Sequence, residues 1–548
     1  MKLSALLVSN FKGIKNEIKI LIDNIVVLIG PNNCCKSTIL DAYEAYVSLG
    51  AAKSLDYFHN RDANNSIRIT GVFTDITQED IDSVGKEWLI EGDAEYGDCA
   101  KFQVRWDTPD EPGEKYSFSN ETNDWKKGGA GGWDSILKSR LPTPLRINPN
   151  DDTGDLEKIL KDLIAKSAAA KIKNDKSKLS VIISEIEKLA QEVETEISTD
   201  IKNLNSKIEE EVNKLFSGMK VGFETGVGKF KPEDAIKEGS RFILSSNGSS
   251  SPLVHQGSGI QRAFLWSAIN ALCSEGRLKK GRSAVPKDGT KILLLDEPEI
   301  NLHPSVIRSA RKAIYSLAEI EGWQVMCTTH SPVFIDLTSD HTTLIKVSNT
   351  PEGVFHFQTD KSTFSEEEKE NLKMLNKCCP TVNEFFFYDT SILVEGDTEY
   401  LAYQYLIEQE SLEGSHCVIN CRGKANLPTF IKIFNQFQAH AVAAHDLDAK
   451  FKADGSANGM WTINHRIREA ADETSNRVTT VVHNPDFEGY YLDESPSKDK
   501  PYNLFKHLTS PEFSTAEKYQ KLRGSLRAIV DGTHEGIYCS GEDIEKMA

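Results

Sequence analysis

Length and charge set broad limits on this chain. At 548 residues it should hold roughly three or four domain-sized units, and its formal net charge of −18 argues against nucleic-acid binding by bulk charge attraction. The ten cysteines include no Cys-x-x-Cys pair, which favours free thiols over zinc. With neither a signal-like start nor an apolar run long enough to cross a bilayer, we expect a cytoplasmic protein without membrane contact.

The amino-terminal region has a strand, a loop and a helix in the order of a phosphate-binding P-loop. An apolar strand at 25–29 runs into Gly30-Pro-Asn-Asn-Cys-Cys-Lys-Ser-Thr38. Backbone amides and the start of the following helix would hold the phosphates of ATP. The predicted nucleotide contacts are Gly30, Asn33, Lys36, Ser37 and Thr38, with Lys36 reaching the β and γ phosphates and Ser37 also ligating Mg²⁺.

Cys35 stands where this kind of loop usually has its second glycine. A side chain there takes backbone freedom from the loop and room from the phosphates. We therefore expect nucleotide binding together with slow or absent hydrolysis.

Apolar residues recur at helical spacing between the P-loop and the next motif, over residues 154–217. The repeat is clearest from Ile182 to Leu215, and neither glycine nor proline interrupts residues 179–217. A narrow apolar face of this length is typical of a helix that packs on a partner helix. The alternative is an antiparallel hairpin that folds back on its own chain.

A segment rich in glycine, His255-Gln-Gly-Ser-Gly-Ile-Gln-Arg262, precedes an apolar helical run. Glycines and a serine before a helix can bind an anion. The segment resembles the signature of ABC-type ATPases, so Ser258, Gly259 and Gln261 are candidates for contacting nucleotide across a dimer. An ordinary turn is the alternative.

Ile292-Leu-Leu-Leu-Asp-Glu297 joins an apolar run to two carboxylates. The run predicts a central parallel strand covered on both faces. At its carboxyl end Asp296 would hold Mg²⁺ and Glu297 would polarise the attacking water. An acidic turn after a core strand is the alternative for this run alone. A further strand ends near His330, in the place of the switch histidine that contacts the γ phosphate in the ABC family.

The carboxyl-terminal third has a different acidic pattern. A hydrophobic strand predicted at 385–394 leads to Glu395-Gly-Asp-Thr-Glu399, and residues 441–444 lead to His445-Asp-Leu-Asp448. Oxygen ligands at two strand ends suit one or two Mg²⁺ or Mn²⁺ ions that act on a phosphodiester. An isolated Asp-x-Asp usually lies on a solvated turn. Its position about 50 residues after the first motif, as a βαβ unit requires, favours the metal site.

These ordered motifs together resemble the OLD (overcoming lysogenisation defect) family, which includes the Gabija nuclease and retron-associated effectors. The opening Leu7-Val-Ser-Asn-Phe-Lys-Gly-Ile14 also matches. The resemblance implies an α/β protein: an ABC-type ATPase head at 1–153 and 218–380, a helical dimerisation insertion at 154–217, and a Toprim nuclease domain at 381–548.

The resemblance also implies a nuclease centre. Glu395, Glu399, Asp446 and Asp448 match the metal-binding motifs, and a later glutamate and lysine complete the family's site. Glu488 and Lys500 are the candidates for these two roles. The lysine would stabilise the charge that develops on the scissile phosphate.

Two functions of different classes fit these motifs. The first is a nucleotide-regulated, divalent-metal-dependent DNA endonuclease acting in antiphage defence. The second is a structural or sensor ATPase whose Toprim domain binds nucleic acid without cutting. The expected partners are DNA, a second copy of the chain, and an operon-encoded reverse transcriptase with its nucleic acid, or a helicase. DNA contact would need local basic surface, such as residues 171–178 or 277–282.

Overall fold

A computed structural model describes most of this chain. The described residues are 1–128, 140–148, 161, 241–246, 249–274, 290–336, 342–359, 365–370, 373, 380–388, 390–412, 416–492, 498–511, 515, 517–532 and 544–546. Apart from Lys161, the predicted insertion at 154–217 lies outside them, as do the basic runs at 171–178 and 277–282.

The chain divides into two compact units. The first comprises Met1–Pro149, Gly289–Ile300 and Ile307–Ala548, and the second comprises Asn150–Asp288 and Asn301–Val306. In the described part of the chain, no helix is both long and apolar enough to cross a membrane.

The strands and helices of the described residues are numbered in chain order. The strands are β1 (Lys2–Ser9), β2 (Ile18–Leu21), β3 (Ile25–Ile29), β4 (Ile67–Thr74), β5 (Ile90–Asp93), β6 (Gly97–Trp106), β7 (Glu114–Ser119), β8 (Asp124–Lys127), β9 (Thr143–Ile147), β10 (Ile243–Ser246), β11 (Ser249–Pro252), β12 (Lys291–Asp296), β13 (Trp323–Thr328), β14 (Thr342–Thr350), β15 (Gly353–Gln358), β16 (Thr390–Val394), β17 (His416–Asn420), β18 (His440–Asp446) and β19 (Val478–His483). The α-helices are α1 (Lys36–Val47), α2 (Gln78–Val84), α3 (Ser258–Ser274), α4 (Pro304–Ala318), α5 (Asp397–Gln409), α6 (Leu427–Gln436), α7 (Gly459–Asp472), α8 (Phe487–Leu492), α9 (Lys500–Thr509) and α10 (Glu517–Val530).

An antiparallel sheet of seven strands supports the helix that follows the P-loop. Its order is β2-β1-β4-β6-β7-β8, with β5 paired to β6. Helix α1 packs against this sheet through buried aromatic rings: the ring of Tyr46 lies 6.3 Å from that of Phe73, which lies 6.1 Å from Phe102. Each such pair adds about 0.5–1.5 kcal/mol to the stability gained from buried area. The carboxyl-terminal end of α1 is therefore fixed on this sheet.

A second sheet brings the predicted ATPase motifs to one edge. Its order is β15-β14-β3-β13-β12-β9, and all its pairs are parallel except that of β14 and β15. All five residues of β3 are buried, as expected for a central strand covered on both faces. Because β3, β12 and β13 run in the same direction, the P-loop, Asp296 and the segment with His330 all follow the same sheet edge.

A third, wholly parallel sheet has the order β17-β16-β18-β19 and carries the acidic motifs of the carboxyl-terminal third. The strand predicted at 385–394 is wrong in its first half, because residues 380–387 form a 3₁₀ helix and β16 begins at Thr390. The physical reason is aromatic packing: Phe385 stacks 4.5 Å from Phe434 of α6, and Phe386 packs edge-on against Phe437.

Candidate functional sites

The P-loop holds its lysine folded back over the loop. Lys36 is the first residue of α1 and is buried, and its Nζ donates to the carbonyl oxygens of Gly30 at 3.0 Å and of Pro31 at 2.8 Å. The amino-terminal N–H groups of a helix have no partners within the helix, so the start of α1 favours an anion. Gly30 has a φ of 142°, and a Cβ there would lie 2.2 Å from the carbonyl oxygen of Val347. The predicted strand, loop and helix are therefore present.

Cys35 occupies a backbone conformation that favours glycine. Its φ is 74°, in the left-handed region, where a residue with a Cβ is less stable by about 1–2 kcal/mol. Its sulfur packs closely against Gly13, where an added Cβ would lie only 2.4 Å from the Cys35 Sγ. Burial raises the pKa of the Cys35 thiol. The expected departure from glycine thus coincides with local backbone strain.

Asp296 is held by three side chains at the end of β12. Its Oδ1 accepts hydrogen bonds from Ser37 Oγ at 2.9 Å and from Thr328 Oγ1 at 2.5 Å. Its Oδ2 lies 3.0 Å from Arg146 Nη2. Removing one partner of such a nearly buried pair costs about 3–5 kcal/mol. The structure therefore brings together the two residues predicted to hold Mg²⁺, and it adds Thr328 and Arg146, which sequence reasoning missed.

Glu297 and His330 face each other beside this carboxylate. Glu297 has a φ of 47°, its backbone N–H donates to Thr328 Oγ1 at 3.0 Å, and its Oε1 lies 3.6 Å from His330 Nε2. Burial and the charge of Lys36 lower the pKa of His330. Glu299, another residue that the sequence did not single out, fixes the histidine's backbone by accepting from the His330 N–H at 2.7 Å.

The predicted signature residues lie in the second unit, at the start of α3. Ser258 is the first residue of this helix, and a Cβ on Gly259 would come within 3.0 Å of the Asn301 carbonyl oxygen. Gln261 is buried and its Nε2 donates to the Gln256 carbonyl at 2.5 Å. Contact with a nucleotide held by another copy stays a prediction for these residues.

Glu395 and Asp446 are in contact at the edge of the third sheet, and Glu399 lies near enough to Asp446 for its charge to act on it. Strands β16 and β18 are neighbours, so Glu395 follows one strand beside Asp446, the last residue of the other. The Asp446 N–H donates to Glu395 Oε1 at 2.7 Å. Burial and then the charge of Asp446 raise the pKa of Glu399 to about 7, and the same two causes raise the pKa of Glu395 well above its ordinary value. Burial and the neighbouring carboxylate thus disfavour the charged form of both glutamates.

Two lysines hold the other predicted carboxylates. Lys424 is nearly fully buried, and its Nζ lies 2.7 Å from Asp448 Oδ2. The same Nζ donates to the Asp446 carbonyl oxygen. Lys500 Nζ lies 3.1 Å from Glu488 Oε2, so these two residues predicted from the family resemblance do lie together. Sequence reasoning missed Lys424, although its Gly-Lys pair in the loop after β17 is a usable signal.

The donor set fits a hard divalent cation in part. Among the described residues, no three His, Cys, Asp or Glu side chains are arranged as a metal-binding group. Buried Glu399 and half-buried Glu395 and Asp446 nevertheless offer oxygen donors whose mutual repulsion a cation would relieve, and Mg²⁺ and Mn²⁺ prefer such donors. A bound cation would supply charge stabilisation to a phosphodiester. Asp448 and Glu488 would have to exchange lysine for metal to join it.

Comparison with known proteins agrees with this arrangement. A model of the AAA ATPase domain matches residues 1–155 and 146–335, and a model of the "Overcoming lysogenization defect protein-like, TOPRIM domain" matches residues 386–448. The chain belongs to the OLD family, in which an AAA ATPase domain precedes a Toprim domain. The OLD-like Toprim match ends before Glu488 and Lys500, so the roles of these two residues stay predictions.

Several individual proteins are similar to this OLD-family chain. The Old nuclease of Escherichia phage P2 is 25% identical over 100% of this chain and 93% of its own length. The OLD nuclease of Thermus scotoductus is 26% identical over 40% of this chain and 38% of its own, and endonuclease GajA of Bacillus cereus is 24% identical over 47% and 41%.

Two solved structures overlap the chain at a low level. The SmcHead bound to the C-winged helix domain of ScpA has a TM-score of 0.37 at 14% identity and covers 66% of this chain and 98% of its own. The SMC head domain of Thermotoga maritima has a TM-score of 0.31 at 13% identity and covers 66% and 100%. Overlaps this low carry no inference about function.

Proposed function

We propose that this chain is a divalent-metal-dependent DNA endonuclease that is regulated by ATP and acts in antiphage defence. The observation that carries the proposal is the contact of Glu395 with Asp446 at one sheet edge, where burial and the charge of Asp446 raise the pKa of both Glu395 and Glu399. Such a cluster favours Mg²⁺ or Mn²⁺, the cations suited to phosphodiester cleavage. The nuclease names of three relatives support the same activity.

Lys500 supports the same chemistry. Its side chain is about two-fifths exposed and its ammonium group lies against Glu488, so the lysine can reach a phosphate bound at the cluster while it keeps a carboxylate partner. A positive charge in that position stabilises the negative charge that develops on the scissile phosphate.

Regulation by nucleotide is supported by a continuous run of contacts between the two sheets. The 3₁₀ helix that precedes β16 packs on the segment that follows His330: Asn383 Nδ2 donates to the carbonyl oxygens of Pro332 at 3.2 Å and Ile335 at 3.1 Å. The ring of Phe387 lies 6.2 Å from that of His330. A displacement of the His330 segment on nucleotide binding would therefore reach strand β16, which Glu395 follows.

A second candidate function is a sensor ATPase whose Toprim domain binds nucleic acid without cutting. The pairing of Asp448 with Lys424 and of Glu488 with Lys500 favours it, because both carboxylates already have a cationic partner.

One experiment separates the two functions. Supercoiled plasmid is incubated with the full chain and Mg²⁺ or Mn²⁺, with and without ATP, beside the variant Glu395→Ala. The matched control is Asp397→Ala, which removes a carboxylate of the same motif whose side chain is 60% exposed and bonds Arg422. The nuclease account predicts cutting by the wild type and the control but not by Glu395→Ala. Plasmid binding without cutting in all three proteins would favour the sensor.

We also propose assembly of at least two copies through residues 154–217. Dimerisation would let Ser258, Gly259 and Gln261 of one chain approach nucleotide held by another, and the apolar stripe that the sequence predicts at 154–217 would favour burial against a second copy. Light scattering on the wild type and on a variant with Asp at Leu189 and Leu204 tests this assembly. A monomeric wild type, or an undisturbed oligomer in the variant, would contradict it. We also propose that an operon-encoded reverse transcriptase with its nucleic acid, or a helicase, is a partner of this chain.

A further inference from the structure

An exposed phenylalanine sits on a stiff turn directly after the Asp446-Leu-Asp448 motif. Phe451 is 60% exposed, and its backbone forms a bridge with Ala457. Hydrogen bonds close the turn: the Lys452 N–H donates to Ser456 O at 2.8 Å, and the Asn458 N–H donates to Lys450 O at 3.0 Å. A ring exposed on a backbone held in this way loses little conformational freedom when it binds a partner.

The short sequence separation limits the distance between this ring and Asp448. Phe451 is the third residue after Asp448, so their Cα atoms lie at most about 11 Å apart. The turn can therefore contact a nucleic acid whose phosphate lies at the cluster.

Helix α9 presents two more exposed rings close in sequence to Lys500. Tyr502 is 60% exposed and Phe505 is 46% exposed, and their spacing of three places them on one side of the helix. Tyr502 is the second residue after Lys500, which limits that Cα separation to about 8 Å. Both exposed elements therefore begin at residues of the candidate nuclease site.

Lysines lie next to these rings, in a chain whose net charge is strongly negative. Lys452 is exposed and follows Phe451 directly, and Lys506 Nζ lies 4.4 Å from the centre of the Tyr502 ring. The carboxylate of Asp454 is engaged within the turn by the N–H and hydroxyl of Ser456. Interleaved exposed rings and lysines are typical of surfaces that bind single-stranded nucleic acid, where bases stack on the rings and lysines follow the phosphates.

A single exposed apolar residue is ordinary on a protein surface. Three exposed rings on two segments that each start at the candidate nuclease site, with lysines beside them, form a more specific arrangement. We propose that Phe451 and Tyr502 stack on unpaired bases next to the scissile phosphate, so that the preferred substrate is DNA with a single-stranded stretch. This inference rests on the proposed nuclease function, whose substrate it specifies.

The test measures binding separately from cutting. A fluorescent single-stranded oligonucleotide and its duplex are titrated with the full chain in Ca²⁺, with anisotropy as the readout. The variants are Phe451→Ala, Phe451→Leu and Phe451→Trp, together with Tyr502→Ala. Phe355→Ala is the matched control, because it removes a 43%-exposed phenylalanine from β15.

Stacking on one base contributes about 1–3 kcal/mol, so Phe451→Ala should weaken single-strand binding at least about fivefold. Phe451→Leu should lose nearly as much and Phe451→Trp should keep wild-type affinity, because the ring rather than apolar bulk is what binds. Tyr502→Ala should show a similar loss, while Phe355→Ala should show none. Duplex affinity should change less than about twofold in every variant.

The outcomes separate this inference from the nuclease proposal. Unchanged single-strand affinity in both Phe451→Ala and Tyr502→Ala, or an equal loss on duplex, would overturn the stacking site even if the wild type cuts DNA. A wild type that binds single strands through Phe451 but never cuts would keep the binding site and remove the nuclease.

Discussion

The two acidic clusters of this chain differ in how their charge is balanced. At the end of β12, Asp296 accepts from two hydroxyl groups and pairs with the guanidinium of Arg146. At the ends of β16 and β18, the backbone N–H of Asp446 donates to Glu395. Burial, and to a smaller extent the charge of Asp446, raises the pKa of the nearby Glu399 to about 7.

This difference indicates which of the two carboxylate sites a bound cation would stabilise more. A carboxylate that already has hydroxyl donors and an arginine can be buried at modest cost, whereas neighbouring carboxylates in a buried site repel one another. Within the part of the chain that the structure describes, Lys424 pairs with Asp448 and Lys500 pairs with Glu488, so neither forms its ion pair with Glu395 or Glu399. We therefore infer that, when nucleotide is absent, the site formed by Glu395, Glu399 and Asp446 binds a divalent cation more tightly than the site at Asp296 does.

The largest effect is expected from removing a central carboxylate. Glu395→Ala or Asp446→Ala should lower plasmid cutting more than about a hundredfold, since loss of a direct ligand exceeds the 10–100-fold loss typical of residues that only support ligands. Initial rates in Mg²⁺ and Mn²⁺ measure this loss. Cutting at the wild-type rate by either folded variant would remove the cluster from the reaction.

A smaller loss is expected at Lys424. Lys424→Met removes the cation that holds the Asp446 carbonyl and Asp448, a residue whose φ is 62°. Cutting should fall about 10–100-fold, and Lys424→Arg should retain more activity than Lys424→Met. Lys432→Met, a change of the same kind on a more exposed lysine of α6, is the control. A Met variant that melts and cuts like the wild type would show that Lys424 does not position these groups.

Asn383 tests the link between the two clusters. Asn383→Leu removes the hydrogen bonds to Pro332 and Ile335 and puts an apolar side chain of similar size in their place. The ratio of cutting rates with and without ATP should move about 2–30-fold toward one, and basal cutting should persist. An unchanged ratio would mean that the nucleotide effect travels by another route.

The sequence predicted the ends of strands better than the partners of side chains. Buried parallel strands are nearly continuous apolar runs, so the positions of Asp296 and Asp446 at strand ends could be read directly. Arg146 and Lys424 were missed because their partners lie 150 and 24 residues away. Periodicity does not distinguish a short apolar run in a strand from one in a helix, which explains the wrong strand over the first half of 385–394.

The smallest change is expected at Cys35. Cys35→Gly relieves a left-handed backbone and frees room beside the P-loop amides, so ATP turnover should rise a few-fold, on the order of 1 kcal/mol in the barrier. Phosphate release over time measures the change. Brisk turnover in the wild type that stays level or falls in Cys35→Gly would contradict the strain argument.

The most direct test of the difference between the clusters is to measure, by electron paramagnetic resonance, how tightly Mn²⁺ binds to the full chain without nucleotide. We predict that the wild type and Asp296→Ala bind Mn²⁺ with similar affinity, and that Glu395→Ala and Asp446→Ala each lose at least about tenfold. Loss of Mn²⁺ binding in Asp296→Ala together with full binding in Glu395→Ala would contradict the account.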